Sequence, residues 1–178
     1  TMFVVAHFHM VMGVAPLMVI FGAIYHWYPL ITGRMLHHGM GLFHFWVTFI
    51  GAYAIFLPLH YLGFIGVPRR YFEMGETTFI PDSAQTLNAF VTVVVILVGI
   101  AQLVFFYNLF RSATKGKVSE RNPWKACSLE WQTPDYPPGH GNFADDLPVV
   151  YRWAYDYGVP GTEDDFVPQN IPPDQVKM

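Results

Sequence analysis

The sequence predicts an all-α membrane protein, a bundle of three transmembrane helices followed by an extended Pro-rich tail. Only 13% of the 178 residues are charged and 53% are hydrophobic, whereas an ordinary soluble domain has roughly 25% charged residues. No Asp, Glu, Lys or Arg occurs in 1–33, 35–68 or 83–110. Each stretch exceeds the roughly 20 apolar residues that a helix needs to cross the hydrocarbon layer. We therefore expect an integral membrane protein.

The three spans are expected at about 2–28, 41–64 and 84–110. They are rich in Val, Ile and Phe, which favour strands in water. In lipid, however, an isolated strand would leave its backbone polar groups unpaired, so helices are predicted. Pro16 and Pro58 are expected to bend the first and the second helix.

The helical domain is expected to cover residues 1–111, and residues 112–178 to form an extended tail. Nine of the fourteen prolines lie in 122–178, mixed with aromatic and acidic residues and without a sustained helical period. Such a segment is not expected to form a core of its own; it lies over other subunits or stays partly disordered. The apolar run begins at Thr1, which we interpret as the edge of a larger protein.

Basic residues predict the side of the membrane on which the tail lies. The linker between the second and third spans has two of them, Arg69 and Arg70, offset by three acidic residues. Because short cytoplasmic flanks carry the excess of Lys and Arg, the tail is expected on the cytoplasmic (or mitochondrial matrix) face. The flanks on that side hold six basic residues: Arg34, Arg111, Lys115, Lys117, Arg121 and Lys125.

Two histidines, His7 and His9, lie inside the first apolar run, VVAHFHMVMG. On a helix each residue advances about 100°, so the two side chains differ by about 200° and point to opposite sides. One metal ion shared by both is not expected, because helical pairs that share a metal are usually spaced four apart. They are either interior histidines bonded to neighbouring helices or axial ligands of two haem irons, one on each side of the helix.

Arg69 and Arg70 are predicted at the same membrane surface as the two histidines. His7 and His9 lie about 10 Å below that surface, at about 1.5 Å per residue. Arginine pairs with carboxylates such as haem propionates while it remains charged. Ordinary anchoring at the interface is the alternative, but the matching depth and side favour the propionate role.

The motifs VVAHFH, HWYPL and LGFIGVPRRY occur in this order, with a later LEW. Together they make the sequence resemble the carboxy-terminal part of subunit I of the haem-copper oxidases, most closely the cytochrome c oxidases. The resemblance implies three spans of a larger, twelve-helix-type subunit. It further implies that His7 binds the high-spin haem iron and His9 the low-spin haem iron, with Arg69 and Arg70 at the propionates.

The same resemblance implies the cofactors, the partners and the activity. Two haems of the a type are expected, and copper whose ligands lie outside this chain, so no catalytic residue is expected within it. The expected partners are the remainder of subunit I, a copper-bearing subunit II, subunit III, cytochrome c and membrane lipid, but no nucleic acid. The implied activity is cytochrome c oxidation coupled to reduction of oxygen to water and to proton pumping. The implied location is a bacterial plasma membrane or, alternatively, the mitochondrial inner membrane.

Three other functions stay open from the sequence. A quinol oxidase of the same superfamily is the nearest, although Pro68 before the two arginines favours cytochrome c slightly. A non-catalytic haem-binding, electron-carrying subunit would need paired histidines on facing helices, and a transporter would need polar groups on one face at several depths. The remaining histidines are expected to have structural or solvated roles: His26, His37, His38, His44, His60 and His140.

Overall fold

The structure is a computed structural model that describes residues 1–70, 80–135, 141–143, 146–156, 158–163 and 166–176. Within these ranges the regular structure is helical, apart from one isolated backbone bridge between Arg34 and Val118. The predicted all-α class is confirmed. The linker residues 71–79 and His140, on which predictions were made, lie outside the described residues.

In the membrane-spanning part, the described residues form one short α-helix, three long α-helices and one π-helical segment. These are α1 (Met2–Phe8), the π-helical segment (His9–Val14), α2 (Ala15–Thr32), α3 (His38–Phe64) and α4 (Asp82–Lys115). The first three elements form one continuous run, so that three helices are long and apolar enough to cross a membrane, as predicted. The runs extend a few residues beyond the expected limits at 28, 41 and 110.

The π-helical segment lies directly before Pro16. The amide of Ala15 donates to the carbonyl oxygen of Met10, five residues earlier. Pro16 has no amide hydrogen, and its ring collides with the carbonyl four residues before it in a regular α-helix. A wider turn relieves that collision. The winding thus changes directly before Pro16, and α3 continues as a helix through Pro58. The bends expected at the two prolines stay predictions.

The first of two compact units comprises Thr1–Ile24 and His37–Arg111, and in it α1 packs closely on α3. Ala6 is fully buried, and a Cβ added at Gly63 would overlap the backbone of Phe3. The amide of Met2 also donates to the carbonyl oxygen of Val67 at 2.9 Å. In lipid, helices associate through van der Waals contact, and small residues let their backbones approach. The buried core at this contact and along α4 consists of Ala6, Ile55, Leu59, Leu62, Val67, Ile80, Ala84 and Val91.

Polar side chains are buried between α3 and α4 in the same unit. His44 is 1% exposed, and its Nε2 atom lies 3.0 Å from Oε1 of Gln102. The amide nitrogen of Gln102 donates to the hydroxyl of Thr48 at 3.0 Å. The rings of Phe21 and Phe105 pack on His44. Because these polar groups are paired with one another, they hold α4 on α3 without the cost of an unpaired group in lipid.

The second compact unit comprises Tyr25–Leu36 and Ser112–Met178. Its described tail residues follow an irregular path with two short 3₁₀ turns, Leu129–Trp131 and Pro173–Gln175. Backbone hydrogen bonds join the linker to the start of the tail, and Trp131 is 1% exposed. The sequence did not predict this packing; a position of the tail over other subunits stays a prediction.

Replacement of Gly63 by Ala is expected to destabilise the first unit by about 1–3 kcal/mol, because the new methyl group overlaps the backbone of Phe3 and forces α1 away from α3. The midpoint of thermal aggregation of the detergent-solubilised protein measures the effect. Gly22→Ala is the matched control, since nothing lies within 4 Å of a Cβ at Gly22. An equal midpoint for the two variants would contradict the close contact at Gly63.

Candidate functional site

Ala6 defines how His7 and His9 are placed relative to α3. Ala6 is fully buried in the core that joins α1 and α3. At about 100° per residue, His7 lies about 100° to one side of Ala6, and His9 lies about 60° to the other side. Both side chains are exposed in this chain. The two rings therefore flank the line of contact with α3 and do not share one face of the helix.

His9 is oriented by a hydrogen bond to its own helix. Its Nδ1 atom lies 2.7 Å from the carbonyl oxygen of Val5. Because a carbonyl oxygen only accepts, Nδ1 carries the hydrogen, and the lone pair of the ring is on Nε2. Histidine ligands of metals almost always donate their other ring hydrogen in this way. The ring also stacks on Phe56 of α3, with centroids 6.1 Å apart and an interplanar angle of 14°.

His7 contacts two aromatic rings, those of Phe3 and His60. It stacks on Phe3, one turn earlier on the same helix, with centroids 6.1 Å apart and an interplanar angle of 8°. The ring of His60 on α3 meets it at 87°, with centroids 6.0 Å apart. Within the part of the chain that the structure describes, His7 has no hydrogen bond, so that aromatic packing alone orients its ring.

A cavity of about 590 Å³ joins His9 to the two arginines. Apolar side chains of α1 form most of the wall, and Arg69 and Arg70 form part of the lining. The volume lies within the roughly 300–1,000 Å³ typical of small-molecule and cofactor sites. The described residues that line the cavity are Met2, Val4, Val5, Phe8, His9, Arg69 and Arg70.

Arg70 has an unusual backbone conformation. Its φ angle is 61°, in the left-handed region that residues other than Gly rarely adopt. Both Arg69 and Arg70 are exposed, and they follow Val67, whose carbonyl oxygen accepts the amide of Met2. Backbone strain of this kind is common at binding sites, where surrounding structure maintains it. The short segment 67–70 thus places two positive charges next to the start of α1.

The residues around the cavity fit a haem. The Nε2 lone pair of His9 is suited to an iron ligand, and the apolar wall is suited to the macrocycle. The two guanidinium groups are suited to the propionates. The described residues contain no group of three or more His, Cys, Asp or Glu that could hold a metal ion by themselves. His9 and the two arginines therefore offer one nitrogen donor and two positively charged groups around a mainly apolar cavity.

Three further histidines, His26, His37 and His44, make structural contacts. His37 caps α3 by accepting the amide of Met40, and His44 is bonded to Gln102. His26 in the second unit lies 3.4 Å from a carboxylate oxygen of Glu130. Of the structural and solvated roles expected for His44, the structure shows a structural one, because its side chain is buried between α3 and α4.

Sequence reasoning missed Phe3, His60 and Gly63 as parts of this site. His60 was assigned to a span end, and Phe3 and Gly63 were not considered. A glycine inside a transmembrane helix is a known signal of close helix contact, so Gly63 could have been singled out. Nothing in the sequence indicated that α1 and α3 are the helices that meet there.

A family model described as "Cytochrome C and Quinol oxidase polypeptide I" matches residues 1–101. The chain belongs to this family. The match covers α1, the π-helical segment, α2, α3 and most of α4, and it includes His7, His9, Arg69 and Arg70. The resemblance to the carboxy-terminal part of subunit I of the haem-copper oxidases is thereby confirmed.

Individual relatives carry related names. The chain is 68% identical over 173 residues to "Alternative cytochrome c oxidase subunit 1" of Bradyrhizobium diazoefficiens, a match that covers 97% of this chain and 29% of that protein. It is 39% identical over 159 residues to "Cytochrome c oxidase subunit 1" of Synechocystis sp., which covers 89% of this chain and 27% of the relative. The chain thus spans less than a third of the length of these relatives. The Bradyrhizobium match also includes most of the tail, to which no family role was assigned from the sequence.

Proposed function

We propose that this chain supplies one axial histidine to each of two haems in the catalytic subunit of a respiratory cytochrome c oxidase. The observation that carries the proposal is the arrangement around His9, whose Nδ1 atom is bonded to Val5 while its ring lines a cavity together with Arg69 and Arg70. His7 lies on the other flank of Ala6, as a second and separate ligand requires.

In this function the two histidines have different roles. His9 donates the Nε2 lone pair to the low-spin haem, and its hydrogen bond to Val5 fixes the tautomer and strengthens the ring as a donor. His7 binds the high-spin haem on the opposite flank. The haems, of the a type, supply one-electron transfer and oxygen chemistry when they are bound, together with a copper whose ligands lie outside this chain.

Arg69 and Arg70 bind the propionates in this proposal. Both residues are exposed and line the cavity, and their guanidinium groups are permanently charged donors suited to carboxylates. A positive charge near the iron also favours its reduced form, because oxidation adds positive charge to the haem. The arginines therefore both position the haem and raise its reduction potential.

The electron donor is proposed to be cytochrome c. The names of the relatives favour it, and so does Pro68 before the two arginines. A quinol donor is the alternative that the family description also includes. The complete activity is reduction of oxygen to water coupled to proton pumping, in a complex with the rest of subunit I, a copper-bearing subunit II and subunit III. The location is proposed to be a bacterial plasma membrane, with the tail on the cytoplasmic face.

Replacement of His7 by Ala in the assembled complex is expected to abolish the high-spin haem signal and to leave the low-spin signal largely intact. His9→Ala is expected to do the reverse, because each ring is the ligand of a different iron. Visible absorption and electron paramagnetic resonance spectra of the purified complex measure both signals. His38→Ala is the control, since His38 is an exposed histidine at the other end of α3.

Two outcomes would contradict these assignments. Loss of the same haem signal in both variants would mean that the rings do not serve two irons. Unchanged spectra in both would remove the histidines from haem binding altogether.

Replacement of Arg70 by Gln is expected to lower the midpoint potential of the low-spin haem by tens of millivolts. A unit charge roughly 8–16 Å from another contributes about 1–2 kcal/mol at an effective dielectric constant of about 20. For one charge, about 2.3 kcal/mol corresponds to 100 mV. Spectroelectrochemical titration measures the potential. Lys115→Gln, which removes one exposed positive charge at the end of α4, is the control. An equal potential in the Arg70 variant and the wild type would exclude a role at the propionates.

A further inference from the structure

We propose that His60 is a positioning residue for His7, in that it fixes the plane of the His7 ring relative to the haem. The inference rests on the proposed function, because it assumes that His7 is the ligand of the high-spin haem. The observation behind it is a cluster of three rings, Phe3, His7 and His60, at the contact between α1 and α3.

The cluster holds His7 from two directions. Phe3 lies parallel to the His7 ring, and His60 meets it almost at a right angle with centroids 6.0 Å apart. Phe3 and His60 also contact each other at 89°, with centroids 5.0 Å apart. Edge-to-face geometry at 4.5–7 Å is the arrangement that aromatic pairs favour. Each ring therefore limits the rotation of the other two.

His60 itself is firmly anchored. Its Nδ1 atom lies 2.6 Å from the carbonyl oxygen of Phe56, one turn earlier on α3. Nδ1 must donate in this bond, since the carbonyl oxygen only accepts. The bond orients the His60 ring independently of His7, so that His60 is a fixed surface against which His7 packs.

A histidine ring that binds iron needs a neighbouring group that restrains its rotation. An imidazole bound to iron through Nε2 rotates about the bond to the metal unless its other contacts prevent it. For His9 the hydrogen bond to Val5 provides that restraint. His7 has no hydrogen bond within the described residues, and the edge of His60 takes the corresponding role.

The close contact of the two helices makes this restraint stiff. The backbones of α1 and α3 meet at Gly63, one turn after His60, where a Cβ would overlap Phe3. Phe3 also packs against Phe64, with centroids 5.0 Å apart. Movement of His60 away from His7 would thus require separation of the helices themselves.

The test uses three variants of the assembled complex. His60→Ala removes the ring, His60→Gln keeps a donor without the ring, and His60→Phe keeps a ring without the donor. Resonance Raman spectroscopy of the reduced complex measures the iron–histidine stretching band, which depends on the orientation and the strength of the His7 bond. The low-spin haem signal serves as the internal reference, and His38→Ala is the control for removal of an exposed histidine.

Removal of the ring is expected to shift or broaden the stretching band in the Ala and Gln variants, whereas the low-spin signal stays unchanged. His60→Phe keeps an aromatic ring beside His7 but loses the bond to Phe56, and it is therefore expected to shift the band less than His60→Ala does. A wild-type band in His60→Ala with normal haem content would overturn the proposal. So would a Phe variant that resembles the Ala variant, because the ring would then not be the element that positions His7.

Failure of this inference is distinguishable from failure of the proposed function. If His7→Ala keeps the high-spin haem, His7 is not the ligand and both fail. If His7→Ala loses that haem but every His60 variant has the wild-type band, only the positioning role of His60 is wrong.

Discussion

The site depends on the close approach of α1 to α3. Ala6 and Gly63 lack the side-chain volume that would keep the two backbones apart, and the Met2 amide donates to the carbonyl oxygen of Val67, three residues after the end of α3. In lipid no hydrophobic force drives helices together, so contact area and hydrogen bonds decide which surfaces meet. This one contact brings the histidines of the first span next to the arginines that follow the second.

The two histidines are oriented by different forces, although they lie two residues apart. His9 uses its own backbone, and a helix provides that carbonyl oxygen whatever lies around it. His7 depends on Phe3 and on His60 from another helix. The winding changes at His9, where the π-helical segment begins. The regular 100° step therefore applies between His7 and His9, and residues beyond His9 follow a different register.

The sequence could predict what local chemistry determines. Uncharged runs of sufficient length predicted three membrane helices, and the helical period predicted that His7 and His9 diverge. It could not predict which helices pack, because that depends on shapes that only the fold brings together. His60 near His7, His44 bonded to Gln102 and the packing of Trp131 all join residues far apart in the chain. The helix ends also differed, because propensity alone does not determine where caps such as His37 occur.

The bond between Met2 and Val67 has a further consequence for the two arginines. Val67 lies only three residues before Arg70, whose φ angle of 61° is in the left-handed region, so that the short segment links the contact at Met2 directly to the arginines. A displacement of α1 therefore moves the backbone that carries the arginines as well as the histidines. The two histidines and the two arginines are thus joined through a single contact, even though the histidines lie on the first span and the arginines follow α3.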